Sequence, residues 1–314
     1  MGRVFITGSS DGLGLMAGRL LATWGHRVTL HARNEARAAD ARRALPQAEA
    51  VVLGDVSSIA AMRSVADQVN ALGRYDAVIH NVGVGSRAPR VETADGLSRL
   101  FAINVLAPYL LTALVIRPDR LVYVSSGTHN GGDAHLDDAQ WLKRRWNGSQ
   151  AYADSKLFDV MLAFAVARLW PSVNSNAITP GWVATKMGGA GAPDNLELGA
   201  VTQSWLAVSD DPGAQVSGRY FYHQKPERAH HAASNAELQD QLLDYCAKLT
   251  GVTLPKTYLW LYKFDRIFCG RPAAVFRKML LGIGKCRNAH RAAQSRSRAK
   301  QDSGARHHRR QRER

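Results

Sequence analysis

The chain opens on a short apolar run, "RVFIT" (residues 3–7), that passes directly into "TGSSDGLG" (7–14). Gly8, Gly12 and Gly14 in that turn are spaced Gly-x-x-x-Gly-x-Gly, and the helically periodic "GLGLMAGRLLATWG" follows, ending at Gly25. Glycines at a strand-to-helix turn let the backbone come close to a pyrophosphate, whose charge the N–H groups at the helix start stabilise. The spacing departs from the commoner Gly-x-Gly-x-x-Gly fingerprint, and as a bare pattern it also describes an ordinary turn. Its place between a strand and an amphipathic helix points to a dinucleotide site.

The alternation continues along the chain. "HRVTLHA" reads as a strand, "NEARAADARRAL" as a helix, "AEAVVLGDV" as a strand, and "SSIAAMRSVADQVNAL" as a helix capped by Ser57 or Ser58. "YDAVIHNVG" and "DRLVYVSSG" are further strands, separated by helical material from about 95 to 116. A polar stretch (128–149) precedes a helix running to about Trp170, then a strand "SNAIT", "PGW" (180–182) and the Gly/Ala-rich loop "KMGGAGAPDN". A helix near 196–208, a strand "SGRYFYHQ" (217–224) and a helix at 236–249 close the pattern. Continuously apolar strands, each followed by a helix, indicate a parallel sheet covered on both faces. The expected fold is α/β, a doubly wound, Rossmann-like parallel sheet, with a single domain over residues 1–255 and a basic tail over 256–314.

A formal charge of +15 suggests a nucleic-acid binder until it is divided along the chain. Residues 1–255 carry 24 Lys/Arg against 23 Asp/Glu, whereas residues 256–314 carry 17 against 3. A nearly neutral body gives no electrostatic reason to expect nucleic acid at the main site. Cys246, Cys269 and Cys286 form no disulfide framework or metal spacing, and the paired histidines lie in polar stretches, so no metal site is expected. The chain enters an apolar strand at once, without a secretory leader, and its longest apolar run (105–116) is too short to cross a bilayer. The body reads as a cytoplasmic protein of a reducing compartment.

In "AYADSK" (151–156) Tyr152 and Lys156 lie four residues apart, on one helix face. A free phenol, with a pKa of about 10, is a poor base at neutral pH, and a nearby ammonium favours the phenolate. The pair therefore suits proton transfer to or from a hydroxyl as hydride moves, and Ser126, at the end of its strand, suits a hydrogen bond to the same oxygen. At the end of the second strand "HARN" offers Arg33 and no acid until Glu35, a cation where a 2′-phosphate needs one and where NAD enzymes place a carboxylate. NADP(H) is expected in preference to NAD(H).

Together these landmarks resemble the short-chain dehydrogenases/reductases over roughly residues 1–250. "TGSSDGLG", "GDV" (54–56), "HNVG" (80–83), "FAINVLAP", "VYVSSG", "YADSK" and "PGWVATKM" follow the family's order, with His80 and Val82 as departures from its Asn-Asn-Ala-Gly. The resemblance implies a catalytic set of Asn104, Ser126, Tyr152 and Lys156. Lys156 would also hold the nicotinamide ribose, and Asn104 would support a proton relay through water. Cofactor contacts are implied for Gly8, Ser10, Gly12, Leu13, Gly14, Arg33, Asp55, Val56, Asn81 and Gly83, with Asp55 on adenine. They are also implied for Tyr152, Lys156, Pro180, Gly181, Val183 and Thr185, the last at the nicotinamide carboxamide. Ser125 is the alternative to Ser126.

Ser126 and Tyr152 are 26 positions apart, a longer excursion than many members have. With "HARN" it resembles the retinol-dehydrogenase-like and protochlorophyllide-reductase-like branch, implying a bulky hydrophobic alcohol, aldehyde or ketone as substrate. The excursion, with Trp141 and Trp146, either walls the substrate pocket or elaborates the surface, and "GGAGAPDN" (188–195) falls where the family has its substrate lid. The tail mixes aromatics with cations in "TYLWLYKFDRIF" and ends in a polar basic run (285–314) for which disorder is the default. It reads as a peripheral membrane anchor, a nucleic-acid-binding arm or an appendage without function. The rival to an enzyme is a non-catalytic dinucleotide-binding sensor or scaffold. Monomer and homo-oligomer are both compatible with the sequence.

Overall fold

A computed structural model describes residues 1–86 and 89–255. The expectations for the tail fall on residues 256–314, outside the described residues. Strands β1 (Arg3–Ile6), β2 (Arg27–Ala32), β3 (Ala50–Leu53), β4 (Ala77–His80), β5 (Arg120–Val124), β6 (Asn174–Thr179), β7 (Tyr220–Tyr222) and β8 (Lys225–Glu227) form one sheet in the order 3-2-1-4-5-6-7-8. Neighbours from β3 to β7 pair in parallel, and β8 is antiparallel to β7. The chain winds outward from β1 in one direction and returns from β4 in the other. At that reversal the carboxyl ends of β1 and β4 leave a crevice between them.

Side chains alternate across the sheet, as a strand's period of two requires. Val4, Ile6, Ile79 and Val122 face one core with Leu15 and Leu21 of α1 (Gly12–Thr23) and Leu206 of α7 (Leu198–Val208). Phe5, Val78, Leu121 and Tyr123 face the other, against Val65 of α3 (Ile59–Ala71), Leu110 of α5 (Ala107–Leu114) and Phe158 of α6 (Gly148–Leu169). α2 (Glu35–Ala44) joins β2 to β3, and α8 (Ala236–Thr250) packs on α6 through Leu242 and Cys246. Among the described residues no helix is long and apolar enough to cross a membrane, and no group of His, Cys, Asp or Glu could hold a metal ion.

Two expected elements differ in detail. The helix expected over 95–116 begins with a single turn, α4 (Arg99–Phe101), and continues as a π-helical stretch, Ala102–Leu106, into α5. In that stretch the Ala107 N–H reaches back five residues to the Ala102 carbonyl. Pro108 has no N–H with which to make the ordinary i+4 bond to the Asn104 carbonyl, so the wide turn falls at Asn104. The strand expected over 217–224 is a hairpin. His223 and Gln224 both have positive φ, 45° and 62°, giving a tight turn whose twist suits two adjoining antiparallel strands. Neither residue is the glycine or asparagine that usually announces such a turn.

Candidate active site

The crevice beside β1 is built by hydrogen bonds that shape its glycine turn. Gly8, with φ of 61°, donates its N–H to His31 Nδ1 at 2.9 Å. Because an amide can only donate, His31 must accept at Nδ1 and carry its proton on Nε2, which lies 2.8 Å from the Gly54 carbonyl. The backbones of Ser9 and His31 are joined as well, Ser9 N to His31 O at 3.1 Å and His31 N to Ser9 Oγ at 2.8 Å. From β4, Asn81 Nδ2 donates to the carbonyls of Thr7 and Gly8 at 3.0 and 3.1 Å. A Cβ on Gly14 would stand 2.4 Å from Asn81 Nδ2 and 2.7 Å from the Gly8 carbonyl, so this approach requires glycine. A bare backbone turn at the N-terminus of a 12-residue helix fits the phosphates of a dinucleotide.

The resulting cleft, about 890 Å³, is lined by Gly8, Ser10, Gly12, Leu13, Gly14 and Arg33, and by Asp55, Val56, Asn81 and Gly83. Tyr152, Lys156, Pro180 and Thr185 complete the expected residues on its wall. Arg33 is exposed, and Arg37, which the sequence reading passed over, lines the same cleft and pairs with Asp11. Lys186 Nζ reaches that carboxylate too, at 2.9 Å. Partial burial pushes Asp11 up, but Lys186 and Arg37 outweigh it and hold the carboxyl below the usual range.

A second cleft of about 1090 Å³ adjoins the first. Gly181 and Val183, expected at the dinucleotide, line this one, as does Ser126. Its apolar wall includes Val84, Val91, Leu100, Trp146, Trp182 and Met187. Tyr152, Gly83, Pro180 and Thr185 line both clefts. The long excursion thus contributes Trp146 to the wall, while Trp141 is buried behind it in an edge-on contact at 5.9 Å. Asp138 organises that excursion by accepting the N–H groups of Leu142, Lys143 and Arg144 at 2.7 to 3.1 Å.

Helix α6 carries the reactive pair. The Asn147 side chain caps its start, accepting from the N–H groups of Ser149 and Gln150. One turn in, Tyr152 is half-buried, with Lys156 Nζ 5.9 Å from its ring centroid. Lys156 is 4 % exposed and donates to the Val124 carbonyl at 2.9 Å and to Asp159 Oδ2 at 2.8 Å. Burial alone would lower the Lys156 pKa, but the Asp159 carboxylate, with Tyr152, holds the ammonium above its ordinary value. Ser125 Oγ donates to the Lys156 carbonyl at 2.7 Å, whereas the half-buried Ser126 Oγ accepts only a long bond from Thr128 N at 3.3 Å. Asn104 lines neither cleft. Its carboxamide grips the Val84 backbone and reaches Ser155 Oγ, behind the pair.

His31, Arg37 and Asp159 are the site residues that sequence reasoning missed. Arg37 had a readable signal, one helical turn beyond Arg33 at the start of the helix after β2. His31 had none, since the backbone groups of Gly8 and Gly54 come to it only in the fold, whereas Asp159 had one, three residues beyond Lys156 on the same helix. The loop 188–195 is tied to the segment after β6: Trp182 N donates to Asp194 Oδ2 at 2.6 Å and Trp182 Nε1 to the Gly188 carbonyl at 3.0 Å.

Known proteins share this arrangement of sequence and fold. The sequence model of the family described as short chain dehydrogenase matches residues 3–195. A protein described as an uncharacterized oxidoreductase from Emericella nidulans is 45% identical over 260 residues, covering 81% of this chain and 99% of its own length. Retinol dehydrogenase 13 from Homo sapiens is 30% identical over 284 residues, covering 80% of this chain and 85% of its own. Among solved structures, an uncharacterized protein from Mycobacterium paratuberculosis superposes with a TM-score of 0.69 at 26% identity, over 81% of this chain and 95% of that one.

Proposed function

The chain belongs to the short-chain dehydrogenases, in the branch of the retinol dehydrogenases, and from that premise we propose that it interconverts a hydrophobic alcohol and its carbonyl compound with NADP(H). At the coarser level it is an oxidoreductase with a nicotinamide dinucleotide as cofactor and a small molecule as substrate. The observation that carries the finer reading is the position of Tyr152, whose side chain forms wall for both the glycine-lined cleft and the apolar one.

The cofactor, when bound, supplies or accepts the hydride. In reduction the Tyr152 hydroxyl donates to the substrate oxygen and gives up its proton as charge develops there, and in oxidation the phenolate takes the alcohol proton. The Lys156 ammonium stabilises the phenolate and offers an N–H to the nicotinamide ribose. Ser126, rather than Ser125, donates to the substrate oxygen, since the Ser125 hydroxyl is already given to the helix backbone. Arg33 and Arg37 favour a 2′-phosphate, because the carboxylate beside them, Asp11, is already paired with Arg37 and Lys186. The aromatic and aliphatic wall of the second cleft favours a hydrophobic substrate. A non-catalytic sensor would have no use for a serine and a tyrosine on the wall of a second cleft.

Following NADPH oxidation over a panel of hydrophobic aldehydes and ketones tests the reading, with Tyr152→Phe as the control. The variant should lose about 10²–10⁴-fold in turnover while binding NADPH nearly as well as the parent, the range for loss of a positioned proton donor. Undiminished turnover in Tyr152→Phe would exclude the mechanism.

A further inference from the structure

Lys156 and Asp159 meet inside the protein on one side of α6. Their side chains are each 5% exposed, and Nζ lies 2.8 Å from Oδ2. The Val124 carbonyl takes a second N–H, which leaves one of the ammonium's three for the dinucleotide cleft that Lys156 lines. In the helix sequence Asp159 is flanked by Phe158, Val160, Met161 and Leu162, all buried and apolar, with the buried Ser155 one turn back. A buried ion pair loses several kcal/mol per ion in desolvation and is often no more stable than an apolar pair of like volume. Stability alone is therefore a weak reason for a carboxylate at this position.

We propose that Asp159 is a positioning residue for the reaction: its carboxylate is the counter-ion of the Lys156 ammonium and, together with the Val124 carbonyl, fixes two of its three N–H groups, which leaves the third for the cofactor. The proposal rests on the reading of Lys156 as the ammonium that serves the cofactor and Tyr152. With Asp159 ionised, Lys156 has a counter-ion and a single orientation. With Asp159 neutral, the ammonium is buried against one carbonyl and is free to turn. Burial raises the Asp159 pKa to about 6, against the pull of Lys156, so the change falls between pH 5 and 7.

Two titratable groups near the pair do not change charge in that interval. Tyr123 of β5 stays protonated, its hydroxyl bonded to Thr112 of α5 and its pKa pushed well up by burial. Beyond Thr112, His80 of β4 is neutral, its pKa pushed down to about 3 by burial.

NADP⁺ affinity of the full-length protein, read by quenching of tryptophan fluorescence at pH 7.5 and pH 5, provides the test. A group with a pKa of about 6 is roughly one-tenth ionised at pH 5, and with its neutral form binding about tenfold more weakly, wild-type affinity should fall about fivefold more between the two pH values than that of Asp159→Asn. Titration of the cofactor's own phosphate is common to both proteins and cancels. Asp159→Asn should bind about tenfold more weakly at pH 7.5, and Asp159→Glu, which keeps the charge, should restore part of the affinity and the pH dependence. Should Asp159→Asn not fold, Asp159→Ser, which leaves a polar group and room for water, is read in the same way. Wild-type affinity and pH dependence in the neutral variant, or equal losses in the Glu and neutral variants, would overturn the proposal. Lys156→Met separates the premise: wild-type NADP⁺ binding in that protein refutes the role of Lys156 itself, and with it the role given to Asp159.

Discussion

Asn104 holds both backbone groups of Val84: its Oδ1 accepts the Val84 N–H at 2.8 Å and its Nδ2 donates to the Val84 carbonyl at 3.1 Å. The same Nδ2 lies 3.0 Å from Ser155 Oγ, whose hydroxyl donates to the Tyr152 carbonyl at 2.8 Å. One carboxamide thus ties the Gly83–Val84 segment, which lines both clefts, to the helix that carries Tyr152 and Lys156. Asn104→Asp keeps the acceptor but turns a carboxylate oxygen on the Val84 carbonyl. We expect this variant to lose at least about tenfold in kcat/KM, corresponding to about 1.4 kcal/mol of transition-state stabilisation, with most of the loss in kcat. Steady-state kinetics beside a thermal melt decides the matter: a lower Tm with unchanged kcat would make Asn104 a brace for the fold alone.

Arg33 and Arg37 line one cleft, and a charge-assisted hydrogen bond to phosphate is worth roughly 1.5–3 kcal/mol, about 10- to 100-fold in affinity. Arg33→Ala should weaken NADPH by that factor and leave NADH nearly unchanged. Arg37→Ala should act in the same sense and add a second effect, since Asp11 loses one of its two cationic partners and faces the incoming phosphate. Equal losses for the two cofactors in fluorescence titrations would remove the phosphate contact from both arginines.

Most of the fold was legible because its signals are local. The glycine turn, the apolar strands and the helix carrying Tyr152 each declare themselves within a dozen residues, and the parallel order follows from their alternation. What was hidden depends on burial and on distant partners. Asp159 reads as an ordinary polar residue until α6 is buried on both sides, and His31 as a strand residue until Gly8 and Gly54 come to its two ring nitrogens. The hairpin at His223 and Gln224 was hidden for another reason: its two left-handed residues are not of the types that prefer that conformation. Gly181 and Val183 kept their place in the chain but line the neighbouring cleft, a distinction that residue order cannot draw.

Buried histidines set the acid limit of stability. Burial lowers the pKa of His31, His80 and His129, and His31 must be neutral to accept from the Gly8 N–H. An unfolded histidine titrates at about 6.5, so below that pH the unfolded chain binds protons that the folded chain refuses. Stability is therefore full above about pH 7 and falls as pH drops through 6.5, by up to ~1.4 kcal/mol per pH unit for each group. Asp159, raised to about 6, acts in the opposite sense between about pH 4 and 6, where folding favours its protonated form. Urea unfolding at pH 7, 6 and 5 should give decreasing midpoints with an unchanged m-value, and a flat response would mean that these imidazoles titrate alike in both states.

Gly14→Ala separates helix propensity from the geometry of the cradle. Inside a helix, alanine is ordinarily the more stable residue by about 1 kcal/mol. Here the new Cβ would meet Asn81 Nδ2 at 2.4 Å, the Gly8 carbonyl at 2.7 Å and Ser9 Cα at 2.9 Å. Two of those three are backbone atoms of the glycine turn, fixed by the hydrogen bonds to His31 and Asn81. The turn must shift, at a cost of about 1–3 kcal/mol for overpacking, and the dinucleotide site shifts with it. We expect a lower unfolding midpoint and at least about tenfold weaker NADPH binding. Replacing Asn81 by glycine in the same chain should not restore binding, because the Gly8 carbonyl and Ser9 Cα still obstruct the Cβ; full recovery would place the whole conflict at the Asn81 side chain.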